Sequence, residues 1–279
     1  MRLLYPLAKR FIAGHDLDSA EPKIKELINS GFEVSVDYIG ENSLSFKAAR
    51  HAYRQYLRIL ERFKDYPIDI SVKPSQLGLH IHLYLAYVLI NGLAKRAKKH
   101  KQTIRLDMED SSVTEATRNI AISLNEKYGN VGVAIQANLK RTNKDLTILI
   151  NKNVSVRLVK GAYREEPNKA YQDYFSISSC FFDYAARMYS KRSNKPAIAT
   201  HDEELLEDIQ ELIPDPEYFD YEFLYGIRRD LQKEYKNQGK KVRIYIPFGT
   251  HWLPYTLRRL KEWKNLKFVF LNMVKEWFK

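Results

Sequence analysis

Cysteine is almost absent from this chain of 279 residues, with Cys180 standing alone. No disulfide can close within the chain, which argues against a stapled secreted scaffold and suits a reducing compartment. Cys180 lies in the apolar helical run SISSCFFDYA, where the expected role is a small core residue rather than a nucleophile. Long hydrophobic runs are also missing. No stretch approaches the roughly 20 apolar residues that a membrane span needs. The opening MRLLYPLAKRFIAG has too short an apolar run for a secretory signal. A cytoplasmic protein, soluble or peripheral at a membrane, is therefore expected. Glycine (11) and proline (10) are sparse and no low-complexity linker interrupts the chain, so one domain over 1–279 is expected, with a leading helical segment at about 1–31. The motifs GxGxxG and GxxxxGK[ST] do not occur, which removes the usual Rossmann and P-loop nucleotide sites. The seven histidines are scattered, and His80 and His82 have no neighbouring cysteine or carboxylate cluster, so no metal site is expected. Acidic residues are the minority charge, 34 against 46 basic, for a formal net charge of +12. That balance favours anionic partners without choosing among them.

What the chain does have is alternation. Short β-rich runs recur at 33–39, 68–75, 103–108, 132–137, 154–160, 197–201, 221–226 and 242–248. Most are rich in Val and Ile and show little polar alternation on one side, as strands covered on both faces, or on one face by a packed barrel interior, do. Helical patterns fill the intervals. Tyr53, Tyr56, Leu57, Leu60 and Phe63 recur at helical spacing, and SSVTEATRNIAISLNEKY suggests a capping box of Ser112 with Glu115. A leading helix is expected over about 18–30. Eight strand-helix alternations predict an α/β protein of the (β/α)8 barrel type, with a doubly wound sheet as the alternative.

Such barrels gather their chemistry at the C-terminal strand ends. Those ends carry Lys73, Asp107, Gln136, Arg157 with Lys160, Thr200 with His201, Leu224 and, on the last strand, Tyr245. Each has a bland alternative, such as a helix cap for Asp107 or His201. Their agreement on one mouth favours a site. The basic runs KRAKKHK (95–101), KRSNK (191–195) and GKKVR (239–243) all precede strands and so fall on the opposite face. No aromatic platform is interleaved with them, so a solvated face is expected rather than a nucleic-acid surface.

The motifs SVKPSQLG, IRLDMEDSSVTEAT, VAIQANL, VRLVKGAY, IATHD, EFLYGIR and VRIYIPFG…PYTLRRLKE resemble, in order, those of the proline dehydrogenase family in its short monofunctional bacterial form. The resemblance runs from about residue 8 to the C-terminus. It implies a distorted TIM-type (β/α)8 barrel whose last helix lies over the barrel mouth. It also implies noncovalent FAD and oxidation of L-proline to Δ1-pyrroline-5-carboxylate by hydride transfer to flavin N5. Electrons would pass to a membrane quinone, and a separate pyrroline-5-carboxylate dehydrogenase would take the product.

By matching motif, the cofactor contacts implied are Met108, Gln136, Arg157, Lys160, Gly161, Ala162, Thr200 and His201. Asp107, Arg157 and Tyr245 are implied in catalysis. Lys73, Arg258 and Arg259 would hold the substrate carboxylate, Tyr245 and Leu224 would wall its ring, and Tyr255 with Glu262 would orient the arginines. Pro74 departs from the family's pattern and bears on how Lys73 leaves its strand. Readings left beside this one are a flavin barrel acting on another cyclic amine or a folate, and a basic nucleic-acid-binding barrel. At 3.6 residues per turn, Tyr255, Arg258, Arg259 and Glu262 share an arc of about 100°, so one helix face presents two guanidinium groups suited to a carboxylate.

Overall fold

Alternate positions along short strands set the architecture. The computed structural model describes residues 9–212, 215 and 218–256. Its strands are β1 (Glu33–Tyr38), β2 (Asp69–Val72), β3 (Thr103–Leu106), β4 (Val131–Gln136), β5 (Ser155–Val159), β6 (Ala197–Ala199), β7 (Asp220–Leu224) and β8 (Lys241–Phe248). They pair in sequence order, all parallel, and β8 returns to β1 from Glu33↔Arg243 to Tyr38↔Phe248. Closure removes the doubly wound alternative. Helix α1 (Leu17–Asn29) precedes β1. Helices α2 (Phe46–Arg62), α3 (Leu83–Lys99), α4 (Thr114–Tyr128), α5 (Thr142–Asn151), α6 (Tyr174–Ser190), α7 (Glu203–Leu212) and α8 (Arg229–Asn237) follow β1 to β7 in turn. After β8, residues 252–256 are helical.

The strands alternate more strictly between apolar and polar positions than their composition suggests. Val34, Val36, Ile70, Val72, Ile104, Leu106, Val156, Leu158, Ile244 and Ile246 are buried in the layer against the helices. The residues between them, among them Ser35, Asp37, Asp69, Ser71, Arg105, Asp107, Arg157, Glu222 and Arg243, are buried too, and they bond to one another across the barrel. The barrel is thus greasy outside and ionic inside. Charges tolerate that interior because each guanidinium meets carboxylates of other strands. At the bottom, Arg243 pairs with Asp220 at 2.7 Å, with Asp69 at 3.4 Å and with Glu33, while Arg105 holds Asp69 at 3.1 Å.

Local details differ from expectation in two places. The capping box at Ser112 and Glu115 does not form. Asp110 accepts from the Ser112 N–H at 2.9 Å in a local turn, and α4 begins only at Thr114 without a side-chain cap. A reciprocal box occurs instead at α1, where Asp16 accepts from Ser19 N–H at 2.8 Å and Ser19 Oγ accepts from Asp16 N–H at 3.2 Å. The basic runs precede β3, β6 and β8 and so fall at the bottom, but Arg243 is turned into the barrel. Pro74 opens a 3-10 turn (Pro74–Leu77), a position where a missing N–H is tolerated, and Lys73 before it keeps an extended backbone.

One turn on the mouth side has no room for a side chain. Gly226 follows β7 with φ of +78°, and a Cβ there would lie 1.8 Å from the carbonyl oxygen of Arg10. Gly226→Ala is expected to cost about 2 kcal/mol or more of stability through the positive φ and the backbone clash. Thermal unfolding checks this, and an unchanged Tm would contradict it.

Candidate active site

Strand ends β1, β2, β3 and β8 converge on one ammonium group. Lys73 leaves β2 toward the barrel axis and donates to Asp37 at 2.8 Å, to Asp107 at 3.1 Å and to the Tyr245 hydroxyl at 3.2 Å. Tyr245 in turn donates to Asp107 at 2.7 Å. Below this layer lies Arg157, 3% exposed. Its guanidinium donates to Asp107 and to Glu222 at 2.7 Å each, to Ser71 at 3.0 Å and to Ser35 at 3.1 Å. It also lies 5.3 Å from the centroid of the Tyr245 ring.

The charges set one another's protonation. Burial pushes the Asp107 carboxyl up, but Lys73 and then Arg157 outweigh it and hold the group below the usual carboxylate range. Burial also raises Asp37, and there it prevails over the attraction of Lys73, with Asp107 adding to the rise. Lys73 is disfavoured by burial, yet Asp37, Tyr245 and Asp107 together keep it protonated far above its usual range. Tyr245 is pushed well up by burial and by the Asp107 and Asp37 carboxylates, so it stays a neutral donor.

Above the ionic layer opens a cavity of about 500 Å³. Every expected site residue that the structure describes borders it: Lys73, Asp107, Met108, Gln136, Arg157, Lys160, Gly161, Ala162, Thr200, His201, Leu224, Tyr245 and Tyr255. Arg258, Arg259 and Glu262 lie outside the described residues. Tyr255, in the helical residues 252–256, brings that turn to the mouth. A neighbouring cavity of about 820 Å³ runs along the segment after β1 and shares Glu41, Lys73 and Tyr255.

The wall at the β4–β7 ends is built from second-layer contacts. Gln136 donates to the Glu109 carbonyl at 2.9 Å and accepts from Ala162 N–H at 3.4 Å. Gly161 has a φ of +119°, and a Cβ there would strike the Asn138 side chain, so this part of the wall stays open backbone. His201 Nε2 accepts from Leu224 N–H at 3.0 Å, which in the neutral ring puts the proton on Nδ1. Thr200 Oγ1 accepts from Asp202 N–H at 3.2 Å. Lys160 is drawn to one side: its ammonium pairs with Asp202, donates to Ser178 at 3.0 Å and sits 4.3 Å from the Tyr174 ring centroid.

Several residues here escaped the sequence reading. Asp37 lies one residue before the end of β1, and Lys73 and Asp107 one residue past the ends of β2 and β3, so applying the strand-end rule to β1 would have found it. Glu222, Ser35 and Ser71 lie mid-strand and carry no such signal. Asp202 directly follows His201 and reads as an ordinary helix cap, a role it also plays by accepting from Leu205 N–H at 3.4 Å.

A closed parallel barrel with polar strand ends around an open cavity defines this chain as a (β/α)8-barrel enzyme. A family model described as proline dehydrogenase matches residues 20–269. Proline dehydrogenase 2 of Bacillus subtilis (strain 168) is 32% identical over 276 residues, covering 96% of this chain and 91% of that protein. The proline dehydrogenase of Deinococcus radiodurans is 30% identical over 286 residues, covering 98% and 91%. The chain belongs to the proline dehydrogenase family of oxidoreductases. Among solved structures, proline utilization A (PutA) from Bdellovibrio bacteriovorus, inactivated by N-propargylglycine, superposes with a TM-score of 0.85 at 22% identity. That match takes in 92% of this chain but only 32% of the PutA chain, and it shows the shared barrel.

Arg157 leaves a clear energetic signature. Arg157→Met strands Glu222 as a buried carboxylate and leaves Asp107 with Lys73 and Tyr245 alone, at an expected cost of about 3–5 kcal/mol. Adding Glu222→Gln removes the stranded charge and is expected to recover part of that loss. Urea unfolding of the single and double variants checks the coupling, and additive effects would contradict it.

Proposed function

We propose that this protein oxidises L-proline to Δ1-pyrroline-5-carboxylate with noncovalently bound FAD and passes the electrons to a membrane quinone. The observation that carries the reading is the Lys73–Asp107–Arg157–Tyr245 cluster beneath the cavity of a family member. The cavity wall suits a flavin: it combines open backbone at Gly161 and Ala162, the amide of Gln136, the Arg157 guanidinium and the apolar faces of Met108 and Leu224. Gln136, Arg157, Lys160, Thr200 and His201 would hold the cofactor, with Met108 packed against it. Bound FAD would supply the acceptor for a hydride equivalent at N5.

The reaction takes a hydride from the ring carbon beside nitrogen and a proton from nitrogen, leaving a C=N bond. This chain's residues prepare that step. Arg157, held protonated by Glu222 and Asp107, places fixed positive charge under the cavity, where it favours an electron-rich acceptor. Lys73, with Arg258 and Arg259, would take the substrate carboxylate. Asp107 keeps its negative charge and holds Lys73, Arg157 and Tyr245 in register. Tyr245 and Leu224 would wall the ring and exclude water. Tyr255, with Glu262, would orient the arginines.

A lipid-dissolved acceptor fits the distribution of apolar surface. Among the described residues, the exposed large apolar side chains are Leu44, Phe46, Leu83, Tyr84, Val88, Tyr174 and Phe175. They fall just before or within the opening turns of α2, α3 and α6, which face the barrel mouth. No helix of the described residues is long and apolar enough to cross a membrane. Peripheral contact through the mouth rim is the arrangement this supports.

The deciding measurement is the anaerobic visible spectrum. The protein reconstituted with FAD is expected to be yellow, to bleach on adding proline, and to regain colour with a short-chain quinone. No uptake of FAD, or a flavin that stays oxidised with proline, would overturn the reading. Tyr245→Ser is expected to raise the rate with 4-hydroxyproline relative to proline, because it opens space at the ring wall. An unchanged ratio of kcat/KM values would remove Tyr245 from that wall.

A further inference from the structure

Lys73 has three N–H donors, and all three are engaged in the structure, on Asp37, Asp107 and Tyr245. If Lys73 takes the substrate carboxylate, one of these bonds must be exchanged. The three partners are not equivalent. Asp107 and Tyr245 border the cavity of about 500 Å³, and they also bond each other at 2.7 Å, so each keeps a partner when Lys73 turns away. Asp37 does not border that cavity; it lines the neighbouring cavity of about 820 Å³, which Lys73 also borders. Its carboxylate, 1% exposed, meets Lys73 from the side of that neighbouring cavity and makes the shortest of the three contacts. Strand pairing fixes it there: Asp37 is in register with Ser71 of β2 and Pro247 of β8, two residues before Lys73 and two after Tyr245 along their own strands.

From this geometry, and resting on the proline-oxidising reading above, we propose that Asp37 is a positioning residue that anchors the Lys73 ammonium while its cavity-side bonds pass from Asp107 and Tyr245 to the substrate carboxylate. Two consequences follow. With the anchor, Lys73 stays charged and aimed when it lets Asp107 go. Without it, Lys73 has only Asp107 as a carboxylate partner, and that closer ion pair competes with the substrate. Asp107 would then be drawn from Arg157, with which it now shares a 2.7 Å contact.

The groups facing this pair are Asp107, Tyr245, Tyr56 of α2 and, through Asp107, Arg157. Asp37 is the largest of the influences that keep Lys73 protonated. Its removal shifts Lys73 deprotonation to lower pH.

The test is Asp37→Asn in the full chain, read in two ways. For the FAD-loaded enzyme, KM for proline is expected to rise by about tenfold or more, the effect of losing one charged hydrogen bond, while kcat stays within about threefold. Asp37→Glu, which keeps a carboxylate, is expected to recover part of that loss. The second readout needs neither cofactor nor proline. Acetic anhydride labelling of Lys73, followed by mass spectrometry across pH, is expected to begin at lower pH in Asp37→Asn than in the native protein. Native values of both KM and labelling pH in a folded Asp37→Asn protein would overturn the inference while leaving the proposed activity intact. If the native enzyme does not oxidise proline, the proposed activity fails and the labelling comparison alone decides whether Asp37 anchors Lys73. Should Asp37→Asn fail to fold, Asp37→Asn with Lys73→Met removes both charges. Recovered folding supports the anchor, and continued failure assigns Asp37 a packing role and overturns it.

Discussion

Arg157 is the interaction on which the rest depends. From the middle of β5 its guanidinium reaches β1 at Ser35, β2 at Ser71, β3 at Asp107 and β7 at Glu222, all within hydrogen-bond distance. Five of the eight strands therefore meet at one planar group. A guanidinium suits this duty because its donors radiate in a fixed fork and it does not lose its proton. An aliphatic side chain could fill the same volume but could not dictate which carboxylates face the axis. Through Asp107 the constraint passes upward, since the oxygen not facing Arg157 receives both Lys73 and Tyr245.

The barrel interior becomes a stack of ionic layers as a result. Arg243 and Arg105 with Asp69 and Asp220 close the bottom, Arg157 with Glu222 occupies the middle, and Lys73 with Asp37 and Asp107 sits under the cavity. Such pairs contribute little net stability, because desolvation offsets much of their attraction. Their value here lies in direction. Each charge is held by partners on other strands, so the groups at the mouth are set before any ligand arrives, as electrostatic catalysis requires. Stability comes instead from the apolar layer between strands and helices, where Val, Ile and Leu from alternate positions are fully buried.

Much of this was legible in the sequence. All eight strands and the leading helix lie within a few residues of their expected places, because the periodic apolar runs and their spacing are local properties. The residues quoted at strand ends do meet at one cavity, since parallel strands must all end on the same face. The inward polar alternation was missed for a physical reason. Strands of three to eight residues with only a few polar positions look nearly uniform by composition, and only the partners across the lumen explain why Ser35, Ser71 and Glu222 can be buried. The capping expectation at Ser112 failed on an equally local competition, with Asp110 capturing Ser112 first.

By itself the sequence determined the order of elements, the end of the barrel at which the polar strand-end residues gather, and a motif series that places the chain in the proline dehydrogenase family. These follow from local periodicity and from residue identity, which need no three-dimensional partner. Tertiary structure decided which charges pair. Asp37 and Lys73 are 36 positions apart, Arg157 and Glu222 65, and Lys73 and Tyr245 172. Whether Lys160 faces the cavity centre or leans to Asp202 was decided at the same level. A charge finds its partner by through-space distance, and in a closed barrel that distance is set by strand register and not by position along the chain.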